Sequence, residues 1–181
     1  MSHDRLQELL DRQAIADCVH RYARGIDRRD VDLVASCYHP DAIDDHGSFV
    51  GSGREVAEWA INAHQGMAST QNHITTHHVE LAGDTAHGQT YFLVVARAPV
   101  GVVRYVSGRY VDRFERRDGE WRIADRLCIV ESIAEKAGAD LKHWANTPSK
   151  HDRTDPSYQR PLLVRSSPHE PYPVPIPAPA E

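Results

Sequence analysis

Hydrophobic positions recur first with a helical period and then with a strand period. Ile15, Cys18, Val19, Tyr22 and Ile26 fall at i, i+3, i+4, i+7 and i+11. That is one continuous apolar stripe, and it predicts an amphipathic helix over residues 4–25. Gly25 is expected to loosen its last turn. Asp30 reads as the cap of a second, short helix over 31–38, with Leu33, Val34 and Cys37 as its buried side and His39-Pro40 as its stop. A short strand over 41–45 leads into a Gly/Ser loop over 46–53. A third helix over 54–67 turns Val56, Ala57, Ala60, Ile61 and His64 to one side. From there the period drops to two. Residues 70–81, 85–98, 103–117 and 120–130 read as long strands, with turns at Gly83-Asp84, Pro99-Val100-Gly101 and Asp118-Gly119.

Three helices followed by consecutive antiparallel strands predict an α+β domain, a curved sheet wrapped against the helices. The domain is expected over residues 1–138. Residues 139–181 form a Pro-rich extension that favours polyproline conformation and builds no core of its own. Two readings of it stand: a disordered tail, or an arm laid over a neighbouring subunit with Tyr158, Leu162, Leu163 and Tyr172 as anchors.

Composition narrows the class. The chain has 181 residues, 40% hydrophobic and 26% charged, with a formal net charge of -5. This is ordinary for a globular protein and implies no basic surface for nucleic acid. The N-terminus lacks an apolar h-region, and no apolar run is long enough to span a membrane, so a cytoplasmic location is expected. The three cysteines, Cys18, Cys37 and Cys128, are widely spaced. They read as buried thiols rather than a disulfide framework or a zinc set.

The twelve histidines carry the candidate chemistry. His73 shares its strand face with Thr75, His77, Val79 and Leu81, and His78 lies on the opposite face. An acid against its imidazole would fix the tautomer and stabilise the protonated ring, making a general base. Asp27, just past Gly25, is the candidate acid. Tyr22, on the apolar stripe, brings a hydroxyl into the interior that needs a partner. An ideal helix puts residues five apart about 140° from each other, so Asp27 reaches Tyr22 only if the helix ends near Gly25. Arg126, between small and apolar neighbours, can bind a substrate oxygen or neutralise a buried acid. His77, Tyr91, Tyr105 and Trp59 are candidate substrate-binding residues. A metal is disfavoured, because strand residues four apart lie about 13 Å from each other. Gly-rich phosphate loops and serine-nucleophile elbows are absent.

These residues carry a resemblance. The run Tyr110-Val111-Asp112-Arg113-Phe114-Glu115-Arg116-Arg117-Asp118-Gly119-Glu120-Trp121-Arg122-Ile123 looks like the SnoaL-like branch of the nuclear transport factor 2-like superfamily. So do Ala14-Ile15-Ala16-Asp17, Tyr22 through Asp30, and Thr70-Gln71-Asn72-His73 with Gly83-Asp84-Thr85-Ala86 behind it. The likeness covers residues 5–133 and implies a cone-shaped curved sheet. Within the branch the sequence is most similar to lindane dehydrochlorinase and bile-acid 7α-dehydratase, with scytalone dehydratase more distant. The resemblance implies a cofactor-independent lyase with a His–Asp dyad at His73 and Asp27, assisted by Tyr22 and Arg126. Its substrate would be a hydrophobic cyclic or aromatic small molecule, and a carbon–carbon cleaving variant releasing a small aldehyde would use the same parts. The branch implies homo-oligomers, trimers ahead of dimers. It also holds isomerases, cyclases and non-catalytic binding or assembly modules, so the fold alone does not choose.

Overall fold

The computed structural model describes residues 3–99, 101–137 and 150–164. Helix α1 spans His3–Arg28 and buries the predicted stripe, with Ile15, Cys18, Val19, Tyr22 and Ile26 each at most 3% exposed. It runs straight through Gly25. A Cβ there would lie 2.6 Å from Val34 Cγ2, so the glycine serves the close crossing of α1 and α2. The helix ends in a Schellman turn: Asp30 N–H bonds Gly25 O at 2.9 Å and Arg29 N–H bonds Ile26 O at 3.2 Å. The left-handed residue is Arg29, φ 52°, not a glycine. Asp27 therefore lies within the helix and does not swing beneath Tyr22.

Helix α2, Val31–Ala35, is capped by Asp30, whose side chain accepts from Leu33 N–H. Helix α3, Gly53–Ala63, starts with a reciprocal capping box between Ser52 and Glu55. The strands are β1 Tyr38–Asp45, β2 Val50–Ser52, β3 Ser69–Ala82, β4 Thr85–Arg97, β5 Val102–Arg117 and β6 Glu120–Ala137. They form one sheet in the order β2-β1-β6-β5-β4-β3. β1 runs parallel to β6, and the remaining pairings are antiparallel. The short strand β2 lies inside the expected loop. None of the helices among the described residues is long and apolar enough to cross a membrane.

Two irregularities decide which side chains face the helices. In β3 the register slips between Ile74 and His77. Thr70, Asn72 and Ile74 face inward before the slip; His77, Val79 and Leu81 face inward after it. In β6 the partners jump from Ile123 to Asp125. Trp121 and Ile123 are buried before the jump, Ala124 and Arg126 after it, while Leu127 is 43% exposed. Each bulge inserts one residue and reverses the alternation behind it.

Residues 150–164 lie against the C-terminal end of α1 in the same chain. Tyr158 sits under the Arg24 guanidinium at 4.7 Å and its hydroxyl donates to Asp30 at 3.2 Å. Arg28 bonds Asp155 at 3.0 Å. Of the other expected anchors, Leu162 and Leu163 are exposed, and Tyr172 lies outside the described residues.

Candidate functional site

A cavity of about 150 Å³ opens between the helices and the inner face of the sheet. Its walls are mostly apolar: Ile26 from α1, Phe92 and Val94 from β4, Val106 from β5 and Val130 from β6. Tyr22, Trp59 and Tyr110 add aromatic rings. Tyr22 packs edge-on against Tyr110 at 5.6 Å and against Tyr38 at 6.1 Å. Its phenol is held protonated, first by burial and then by the charge of Asp44. The polar lining is four side chains, His46, His64, Asn72 and Cys128.

His46 is the residue that the sequence reading passed over. Ala42 and Asp44 are buried inward on β1, and His46 continues the same parity one step beyond the strand. That alternation was visible in the sequence, but the Gly/Ser composition after His46 assigned the segment to a loop. Gly47, at φ 80°, reverses the chain directly after it. His46 Nδ1 donates to Asp44 Oδ1 at 2.7 Å, and Tyr38 donates its hydroxyl to Asp44 Oδ2 at 2.5 Å. Burial by itself would strip the proton from His46. The bond to Asp44, the charge of that carboxylate and the neighbouring Cys128 overrule it, pushing the pKa up to about 9. At neutral pH this is an imidazolium locked onto a carboxylate at the wall of an apolar cavity.

His64, the C-cap of α3, has the opposite surroundings. Burial lowers its proton affinity, and the positive charges of Arg29 and His46 lower it further. Its Nδ1 is buried without a hydrogen-bond partner.

Arg126 is fully buried, but behind the cavity wall rather than on it. Its guanidinium makes a bidentate pair with Asp112 at 2.7 and 2.8 Å. It lies between the rings of Tyr22 at 4.4 Å and Tyr110 at 4.0 Å. Of its two sequence readings the structure shows the neutralised acid. Its Nη1 approaches the Tyr38 hydroxyl at 3.5 Å, so charge and hydrogen bonds run from Asp112 through Arg126, Tyr38 and Asp44 to His46.

His73 makes no hydrogen bond to Asp27, although its charge is felt there. His73 is exposed, with Nε2 3.3 Å from Gln71 Oε1. Asp27 instead accepts from Asn72, from the side-chain amide at 2.7 Å and the backbone N–H at 3.0 Å. Burial raises the pKa of Asp27 and the two Asn72 bonds work against the rise. The cause of the exchange is the β3 bulge: with the alternation reversed between Ile74 and His77, residue 72 faces inward and residue 73 outward. His77 is half-buried, with Nδ1 2.8 Å from Thr90 Oγ1; it lies off the cavity, as do Tyr91 and Tyr105, whereas Trp59 is on it. Among the described residues no three His, Cys, Asp or Glu side chains are grouped to hold a metal ion.

A model of the SnoaL-like domain family matches residues 7–127. No curated protein matches the sequence. Among solved structures, LinA superposes with a TM-score of 0.68 at 24% identity, over 78% of this chain and 98% of LinA. A type 2 hexachlorocyclohexane dehydrochlorinase superposes with a TM-score of 0.67 at 26% identity, over 78% and 97%. A putative scytalone dehydratase from Novosphingobium aromaticivorans gives 0.63 at 17% identity, over 70% and 88%.

Proposed function

The chain belongs to the SnoaL-like domain family, and from that premise we propose that it is a cofactor-independent lyase eliminating a small leaving group from a hydrophobic cyclic molecule. The observation that carries the reading is the His46–Asp44 couple, a protonated acid 2.7 Å from its carboxylate, set in a mostly apolar cavity. Such a couple donates a proton to a departing group or stabilises charge that develops on it. Tyr22, with its phenol held neutral by burial, supplies a second donor on the same wall.

The cavity volume narrows the substrate. About 150 Å³ is the size of an apolar cavity that accepts benzene, so a single six-membered ring fits inside. A four-ring steroid would have to project through the mouth. One of the structural neighbours bears on elimination from one ring: the solved hexachlorocyclohexane dehydrochlorinase.

The test is a panel of polychlorinated cyclohexanes, monocyclic alcohols and monocyclic ketones carrying a β-hydroxyl or β-chlorine, with loss of HCl or water read by mass spectrometry. His46→Gln and Asp44→Asn should each lower turnover by roughly 10²–10⁴-fold, with the fold intact by circular dichroism. Products of unchanged mass would replace elimination by isomerisation, and full activity in both variants would remove the couple from the mechanism.

A further inference from the structure

His46 and His64 line one cavity, yet their partners differ in kind. His46 holds a carboxylate on Nδ1 at 2.7 Å, and the thiol of Cys128, which lines the same cavity, is a weak hydrogen-bonding group that a ligand oxygen outcompetes readily. His64 has no carboxylate partner among the described residues. The charge beside it is Arg29, whose Nη2 donates to the His64 carbonyl at 2.9 Å and to the Met67 carbonyl at 3.0 Å. A helix C-terminus ordinarily favours a charged imidazole. Here the Arg29 guanidinium already occupies that end of α3, so the terminus offers His64 no stabilisation as a cation. Its Nδ1 is fully buried and unpartnered, which leaves Nε2 as the ring nitrogen that can meet a ligand.

Resting on the lyase reading above, we propose that His64 is the base that removes the substrate proton and His46 the acid that faces the developing negative oxygen across the cavity. Two titratable groups of one type, driven to opposite protonation states by their neighbours, are what an acid–base pair requires. The directions of their proton affinities agree, with His46 raised and His64 lowered. The fitting ligand is a monocyclic ketone, one ring filling the apolar space, with its carbonyl oxygen toward His46 and an adjacent C–H toward His64. The C–H bond breaks and its electron pair moves through the new C=C bond onto the carbonyl oxygen. His64 gains the proton, and His46 shares its own with the oxygen. Reversal restores both rings, so the half-reaction balances with no further reactant. Where a leaving group sits on the β carbon, the same pair of electrons expels it.

The half-reaction can be measured without the physiological substrate or any leaving group. Cyclohexanone in D₂O is followed by proton NMR for loss of its α-proton signals with the full-length protein. The native protein should accelerate exchange over buffer. His64→Ala and His46→Gln should each lower that rate by about 100-fold, and His73→Ala should leave it unchanged. The acid limb of the rate–pH profile should vanish in His64→Ala and persist in His73→Ala. Exchange at the native rate in His64→Ala, or no acceleration by the native protein, overturns the pair. The two readings fail separately. Exchange without elimination from any member of the substrate panel keeps the pair and removes the lyase. Elimination that survives His64→Ala keeps the lyase and removes the pair.

Discussion

At the scale of single residues, the site is governed by which polar groups are buried with a partner. His46 shows this in stability as well as chemistry. Its side chain is 14% exposed and that of Asp44 is fully buried, so solvent screens the pair little. The folded-state pKa of about 9 lies above the value of about 6.5 for a free imidazole. The stabilisation is therefore complete below about pH 6.5 and is lost as pH rises through about 9; the shift corresponds to roughly 3 kcal/mol. Urea midpoints from pH 6 to 10 should fall along this window in the native protein and fall less in His46→Gln. The difference between the two curves is the quantity to read. Cys37, beside the Cys18 thiol and accepting from Arg21 at 3.4 Å, is drawn below the ordinary thiol range and contributes with the opposite sign. Parallel curves would mean that the His46–Asp44 bond does not support the fold.

At the scale of elements, the helices were legible because each has one period and one buried face, and the long strands because the alternation holds over most of their length. The stripe on α1, the cap at Asp30 and the turn residues at Gly83-Asp84 and Asp118-Gly119 are local signals, and local hydrogen bonding satisfies them. What misled the reading was a change of parity within a strand. Val79 and Leu81 do face the core, and counting back by twos from them reaches His73. The count fails because β3 carries a bulge between Ile74 and His77, set by pairing with β4 rather than by the residues of β3 alone. Gly25 is a second case, a glycine that reads as a helix end and is in fact a contact point. Gly25→Ala should retain the helix but force α2 away from α1, since the new Cβ would also lie 3.0 Å from the Val34 backbone nitrogen. Overpacking of this kind costs about 1–3 kcal/mol. Thermal unfolding should show the loss, and an unchanged midpoint would mean that α2 moves aside freely.

At the scale of the whole molecule, residues 150–164 tie the far end of the chain to α1. Asp155 joins Arg28, and Tyr158 joins Arg24 and Asp30. Tyr158→Ala removes a cation–π contact and a hydrogen bond together, a loss of about 1–2 kcal/mol. The expected consequence is faster trypsin cleavage at Lys150 and Arg153 with little change in the domain's own unfolding. Equal cleavage rates would show that the segment is held by other contacts. From its sequence alone this protein determined an α+β domain, the buried stripe of α1, the inward Tyr22 and the family's architecture, because period, caps and turn residues act between near neighbours in the chain. Tertiary structure alone decided that Asn72 rather than His73 meets Asp27, that Arg126 is spent on Asp112, and that His46 and His64 share a cavity. Those outcomes depend on how strands slip against each other and on which charges are buried together, and neither is encoded within any one stretch of residues.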